Sequence, residues 1–136
     1  MPSYSGRSAA ALQWPRTVWQ VLAWSGLVAV SAASLLTAPA LPDELPDFTD
    51  KLVHAGMYAT LMLLFVRAHP GLPALLLACG LGAFGALVEL LQGLTPARTA
   101  SVADGVANCA GISIMLALHA AQTRAAITPQ PPRFRP

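Results

Sequence analysis

The sequence predicts an all-α integral membrane protein, a four-helix bundle with both termini on the cytoplasmic side. Of the 136 residues, 55% are hydrophobic and only 10% are charged, with a mean hydropathy of +0.57. A soluble domain carries about 25% charged residues, so this chain is unsuited to a surface that faces water. Four apolar stretches each approach the length of about 20 residues that crosses a bilayer. The unequal distribution of cations between the two sides predicts the orientation.

The first predicted span is 18–38, which carries no charge. Trp14 and Trp19 flank its start, where indole rings favour the membrane interface. A cleaved signal peptide is the alternative, because Arg16, the apolar run and Ala38-Pro39-Ala40 resemble a leader with its cleavage site. The run exceeds the about 7–15 apolar residues of such leaders, which favours a span that is retained.

Segments that form turns separate the other spans. Residues 39–49 hold three prolines and three acids and predict a loop. The remaining predicted spans are 50–66, 72–94 and 101–122. The chain is thus divided into a cytoplasmic segment at 1–17, a four-span membrane domain at 18–122 and a disordered cytoplasmic tail at 123–136, which is rich in proline.

Cations predict which side of the membrane each loop faces. Six of the eight Lys and Arg residues fall on one side: Arg7, Arg16, Arg67, Arg124, Arg133 and Arg135. The other two, Lys51 and Arg98, fall on the opposite side. Loops rich in cations stay in the cytoplasm, so the termini and the turn at 67–71 are expected there. The loops at 39–49 and 95–100 are expected to face outward.

Polar residues within the spans collect near the outward face. Ten residues form this set: Asp50, Lys51, His54, Tyr58, Glu89, Gln92, Arg98, Ser101, Asp104 and Asn108. Spacings of three or four residues place the members within each span on one helix face. Consecutive spans run antiparallel, so the three groups meet at one end of the bundle. Ionisable groups inside spans are costly and by default mark function. We therefore predict that these ten residues form a ligand-binding pocket.

The charges in this pocket suit a phosphorylated headgroup or an acid–base reaction. Lys51 and Arg98 match phosphate, and the carboxylates would orient them. His54 is the candidate general base or nucleophile, oriented by Asp50 or Asp104, and Glu89 is the candidate general acid. The structural alternative is that Gln92, Ser101 and Asn108 only join the helices by hydrogen bonds, with His54 and Tyr58 serving the same purpose.

Neither a cofactor nor a metal ion is predicted. The G-x-G-x-x-G pattern at 80–85 lies in the middle of a span with no strand before it, which rules out a dinucleotide site. One His with carboxylates suits several metals, but the chain lacks the H-x-x-x-H and C-x-x-C spacings of metal sites. Small residues at 78, 82 and 86, and Gly111, are predicted to let helices pack closely. A net charge of +2 without a basic stripe argues against nucleic acid.

The same motifs resemble the VanZ-like family of small membrane proteins. They are D-K-x-x-H-x-x-x-Y at 50–58, E-x-x-Q at 89–92 and R-x-x-S-x-x-D-x-x-x-N-x-x-G at 98–111. The resemblance covers roughly 18–121, and it departs at Ala55-Gly56, where such proteins often carry a bulky residue. The named member of the family is linked with teicoplanin resistance. The resemblance thus implies a multi-pass protein of the bacterial cytoplasmic (inner) membrane, related to the cell envelope and to antibiotic resistance.

Three functions of different classes follow. The leading prediction is a binding protein whose outward pocket recognises a membrane lipid headgroup or a lipid-linked cell-envelope intermediate. The second is an intramembrane enzyme acting on a lipid-linked phosphate or ester, with His54 as base or nucleophile. The third is a structural subunit of a membrane complex or homo-oligomer, docked through small residues of the third span.

Overall fold

Four α-helices account for almost all of the described chain. The structure is a computed structural model and describes residues 14–36, 48–94 and 101–127. The helices are α1 Arg16–Leu36, α2 Thr49–Ala68, α3 Ala74–Gly93 and α4 Val102–Ile127. Those ranges contain no strand. Each helix is long and apolar enough to cross a membrane, so the prediction of an all-α fold with four spans is confirmed. The four spans indicate a multi-pass membrane protein.

The helix ends differ from the predicted spans by a few residues. The largest difference is in α4, which continues to Ile127, so residues 123–127 are helical rather than part of a disordered tail. Helix α2 has 20 residues, and it therefore reaches the usual spanning length that the predicted span 50–66 fell short of. The predicted segments 1–13 and 128–136, and the loops at 37–47 and 95–100, lie outside the described residues.

Large apolar side chains cover the outer surface of the bundle. Val21, Val28 and Leu75 are each more than 60% exposed, and Leu87 is 53% exposed. A soluble monomer rarely exposes apolar patches of this extent to water. Hydrocarbon is the solvent that suits such a surface, in agreement with four membrane crossings.

Helix α2 is the central packing element, because it contacts α4 most extensively and then α1. Its buried side chains Tyr58, Leu61 and Met62 lie within the core. Gly111 of α4 sits directly against the backbone of α2. A Cβ at this position would overlap the Ala55 carbonyl oxygen and would lie 2.8 Å from the Ala55 carbonyl carbon. The absence of a side chain at position 111 therefore sets how closely α2 and α4 approach.

The small residues of α3 have different roles from the predicted ones. Ala78 is buried, as a packing residue should be. Gly82, however, has no atom within 4 Å of the position a Cβ would take, and Ala86 is exposed. Positions 82 and 86 therefore do not pack closely against another helix within the described chain, and the predicted contact is wrong there. The close approach on α3 is at Gly85, where a Cβ would lie 3.1 Å from the Tyr58 ring.

Basic and aromatic side chains join α1 to the C-terminal end of α2. The Nε of Arg16 donates a hydrogen bond to the carbonyl oxygen of Ala68 at 3.1 Å. The Arg67 guanidinium lies 5.7 Å from the centre of the Trp19 ring, and the tilted ring of Trp14 has its centre 5.6 Å from that of Trp19. Arginine beside tryptophan is typical of a membrane interface. This end of the bundle is opposite the end where α2 begins and α3 finishes.

Candidate functional site

An ion pair joins the first turns of α2 and α4. The Nζ of Lys51 lies 2.8 Å from Asp50 Oδ2 and 2.5 Å from Asp104 Oδ1. The side chain of Asp104 is only 14% exposed, whereas those of Asp50 and Lys51 are 44% and 38% exposed. A less exposed pair is screened less by water and salt, so the contact with Asp104 is electrostatically the stronger one. The ammonium predicted to meet a ligand phosphate is therefore already held between two carboxylates.

His54 lies beneath this ion pair and is 8% exposed. Its Nδ1 is 3.1 Å from Asn108 Oδ1, which makes a hydrogen bond between α2 and α4. With the amide oxygen as acceptor, Nδ1 is the donor of this hydrogen bond. Nε2 is 3.8 Å from Asp50 Oδ1 and 3.8 Å from Asp104 Oδ2, too far for hydrogen bonds. Asn108, rather than either predicted aspartate, orients the ring.

Glu89 of α3 approaches the same imidazole from another side. Its Oε1 is 4.0 Å from His54 Nδ1, and its Oε2 accepts a hydrogen bond from the backbone N–H of Ser101 at 3.4 Å. Glu89 is 8% exposed, and Oε1 has no hydrogen-bond partner among the described residues. Buried polar atoms are nearly always hydrogen-bonded, because leaving one unpaired is costly. A hydrogen-bond donor from a ligand would satisfy this oxygen.

Three of the predicted site residues lie in contacts within or between helices, and two of them make hydrogen bonds there. The Oγ of Ser101 accepts a hydrogen bond from the Asp104 N–H at 3.2 Å and so caps the start of α4. Gln92 Nε2 donates to the carbonyl oxygen of Ser34 at 2.8 Å, which ties α3 to α1. Tyr58 is 1% exposed, and its hydroxyl has no hydrogen-bond partner in the described part of the chain. The hydrogen-bonded packing role predicted for Tyr58 is therefore not seen there.

Most of the predicted set meets at one end of the bundle. We use the name polar cluster for Asp50, Lys51, His54, Glu89, Ser101, Asp104 and Asn108. Tyr58 and Gln92 are buried in the neighbouring helix contacts, and Arg98 lies outside the described residues. Ser34 was not predicted, because a lone serine in an apolar span does not indicate that its backbone carbonyl oxygen accepts a hydrogen bond from another helix.

A groove between α3 and α4 opens beside the polar cluster. Its volume is about 510 Å³. The apolar walls consist of Gly82, Gly85, Ala86 and Leu90 from α3 and Val102, Gly105, Val106 and Cys109 from α4. Its polar lining is formed by Glu89, Ser101 and Asn108. This groove could not be predicted from the sequence, because small residues are compatible with close packing and with open space alike.

Three residues of the polar cluster can act together as metal ligands. Asp50, His54 and Asp104 each offer one oxygen or nitrogen atom, and these atoms lie within 4.8 Å of one another. Two of the residues are one turn apart on α2, and the third lies in the first turn of α4. The spacing patterns of sequence motifs do not detect this arrangement, because the third ligand comes from a distant helix.

Comparison with protein-family models, with curated proteins and with solved structures finds no match to this chain. The resemblance to the VanZ-like family stays a prediction, which the motifs at 50–58, 89–92 and 98–111 carry.

Proposed function

We propose that this protein binds an amphipathic lipid of the bacterial cell envelope. The apolar chain of the lipid lies in the groove between α3 and α4, and its headgroup contacts the polar cluster. The observation that carries the proposal is the end of this groove at Glu89. There a buried carboxylate oxygen has no hydrogen-bond partner among the described residues. That oxygen selects a headgroup with a hydroxyl or amine donor, as sugar-bearing and amine-bearing lipids have.

The dimensions and lining of the groove support a lipid chain as the occupant. Its volume of about 510 Å³ lies within the range of about 300–1,000 Å³ typical of small-molecule sites. Gly82 and Gly105 line opposite walls, and neither has an atom within 4 Å of where a Cβ would be. The groove is thus kept open by missing side chains, in a surface that is otherwise covered by leucine and valine.

The contacts of His54 support binding rather than catalysis. A general base must reach, within about 2.6–3.2 Å, the hydroxyl or thiol whose proton it takes. The two aspartates stand at 3.8 Å, and the close partner is the neutral amide of Asn108. Ser101, the hydroxyl of the cluster, accepts the hydrogen bond that caps α4. The arrangement holds the ring in place without a paired nucleophile.

We place the polar cluster at the outer face of the cytoplasmic membrane, with both termini in the cytoplasm. Arg16 and Arg67 lie at the opposite end of the bundle, beside the tryptophan pair. Arg124 lies in the last turn of α4, on the same side. Cations of this kind stay in the cytoplasm. The cluster then faces the leaflet that displays lipid-linked envelope intermediates. The resemblance to VanZ-like proteins also implies the cytoplasmic membrane of the cell envelope.

The groove is tested by filling it. Gly82→Leu and Gly105→Leu each add a side chain to open space, so the fold should persist while the lipid is displaced. Gly56→Leu is the matched control, because Gly56 also has open space but lies between α1 and α2. Native mass spectrometry of protein extracted in mild detergent measures the retained lipid. We expect the wild type and Gly56→Leu to retain it and both groove variants to lose it.

The headgroup is tested by a matched pair of lipids. Phosphatidylethanolamine carries an amine donor, whereas phosphatidic acid has a phosphate without one. We expect preferential binding of the amine-bearing lipid, and Glu89→Gln should reduce that preference because the amide has lost the charge. A polyprenyl-phosphate sugar tests the lipid-linked class in the same assay. Equal lipid retention by Gly82→Leu, Gly105→Leu and Gly56→Leu would show that the groove is not the binding site.

A further inference from the structure

We propose that Asp50, His54 and Asp104 form a binding site for one divalent transition-metal ion, with Zn²⁺ and Mn²⁺ as the best-fitting ions. This site is independent of the lipid groove, since none of the three residues lines it. The two sites are neighbours, however, because Asn108 both lines the groove and orients His54.

The geometry of the three side chains carries the proposal. Nε2 of His54 is 3.8 Å from one oxygen of each aspartate, and a ligand atom from each residue falls within 4.8 Å of the others. Ligand atoms that bind a metal at about 2.0–2.2 Å stand about 3.0–3.5 Å from one another. Small rotations of the three side chains would close that difference without moving a helix.

The orientation of His54 is the second observation. The residue is more than nine-tenths buried, and Asn108 holds its Nδ1. Nε2 is then the ring nitrogen that faces the two aspartates, 3.8 Å from one oxygen of each. One imidazole nitrogen and two carboxylate oxygens that converge in this way are a donor set that suits a divalent cation. A hydrogen-bond acceptor behind the second ring nitrogen, here Asn108, is also the usual support of a ligating imidazole.

The contacts of Lys51 distinguish the two oxygens of each aspartate. Lys51 contacts Asp50 Oδ2 and Asp104 Oδ1. Nε2 of His54 faces the other oxygen of each aspartate. Lys51 thus aligns the two carboxylates from outside while their inner oxygens remain directed at the imidazole.

The set of donor atoms selects the type of metal. One imidazole nitrogen with two carboxylate oxygens is harder than a thiolate site and softer than an all-oxygen site. Zn²⁺ and Mn²⁺ accept such mixed ligands, whereas Mg²⁺ prefers oxygen and keeps its water. Three protein ligands leave at least one coordination position open, as in zinc sites that also bind water or a substrate oxygen.

The test is metal binding to the full-length protein, purified in detergent and stripped with a chelator. Zn²⁺, Mn²⁺ and Mg²⁺ are titrated separately by calorimetry, and bound metal is counted by elemental analysis. Cys79 and Cys109 are exposed free thiols, so both are changed to serine in every sample. We expect one Zn²⁺ or Mn²⁺ per chain, weaker binding of Mg²⁺, and a higher melting temperature with metal.

Variants decide which residues bind the ion. His54→Ala and Asp104→Asn should each weaken affinity by more than about 100-fold, and Asn108→Ala, which removes the support of the ligand, by about 10- to 100-fold. His119→Ala is the matched control, since His119 lies in α4 about 22 Å along the axis from Asp104. If His54→Ala does not fold, Asp104→Asn still decides, because it keeps the shape and removes the charge.

Two results would overturn the site. One is the absence of stoichiometric Zn²⁺ or Mn²⁺ binding to the wild type. The other is equal affinity in Asp104→Asn, His119→Ala and the wild type, which would place the metal elsewhere. Neither result bears on lipid retention, which is measured without added metal, so the two proposals fail separately.

Discussion

Replacing Gly111 by alanine tests the contact that sets the spacing of α2 and α4. The new Cβ would overlap the Ala55 carbonyl oxygen and would lie 3.0 Å from the Ala59 nitrogen. Both are backbone atoms, which cannot rotate away as a side chain can. The helices must therefore separate by about 1 Å before the Ala55 oxygen is 3.0 Å from the new Cβ, the shortest distance that real Cβ contacts show.

Two losses follow from that separation. A gap of about 0.5–1 Å forfeits about a quarter to a half of the dispersion energy of each contact across it. The His54–Asn108 hydrogen bond, now 3.1 Å, would lengthen beyond its useful range. Overpacking of this kind costs about 1–3 kcal/mol, and breaking the buried hydrogen bond adds about 1 kcal/mol. We therefore expect Gly111→Ala to destabilise the bundle by about 2–4 kcal/mol.

Thermal unfolding in detergent, followed by the tryptophan fluorescence of α1, measures the change. Gly105→Ala is the matched control, because it lies in the same helix and has no atom within 4 Å of its new Cβ. That variant should be as stable as the wild type or more stable by up to about 1 kcal/mol, since alanine is the better helix former. Equal stability of Gly111→Ala and Gly105→Ala would refute the argument from backbone contact.

Three further predictions follow. Tyr58→Phe should leave stability unchanged or raise it by up to about 1 kcal/mol in the same unfolding assay, because the buried hydroxyl has no hydrogen-bond partner among the described residues; a loss above about 1 kcal/mol would contradict this. Gln92→Leu should destabilise by at least about 1 kcal/mol, since it leaves the Ser34 carbonyl without its donor. A reporter that is active only in the cytoplasm should work when fused after position 136, and activity only of a periplasmic reporter would reverse the proposed orientation.

Composition and periodicity were sufficient to predict the helices. The length of each apolar stretch fixed the number of spans, because a bilayer requires about 20 residues and tolerates few charges within them. The end of α4 was harder to predict. Residues 123–127 include Thr123 and Arg124, whose polarity marks the end of a span, but a helix does not have to stop where the membrane does.

The membership of the site could be predicted, but not its internal contacts. Spacings of three and four residues correctly grouped His54 with Asp50 on α2 and Asn108 with Asp104 on α4. Which atoms face each other depends on how each helix is rotated about its axis and on how far apart the helices lie. Neither quantity appears as a local pattern in the sequence. For that reason the sequence suggested an aspartate behind His54, where the structure has Asn108.

Two glycines show the same limit of predicting contacts from sequence. Gly82 and Gly111 are both glycines within an apolar helix, and the sequence predicts close packing at each. One faces open space and the other faces the backbone of α2. The difference lies entirely in the partner helix, so it is a tertiary property.

The tight contact at Gly111 divides the bundle into a fixed part and an adjustable part. The proposed metal ligands all belong to α2 and α4, whose backbones touch, so the ion would meet a preorganised site. The groove instead lies between α4 and α3, and α3 makes far fewer contacts with α2 than α4 does. Under the proposed function, a thicker lipid would be accommodated by displacement of α3, with the imidazole and its aspartates left in place on α2 and α4.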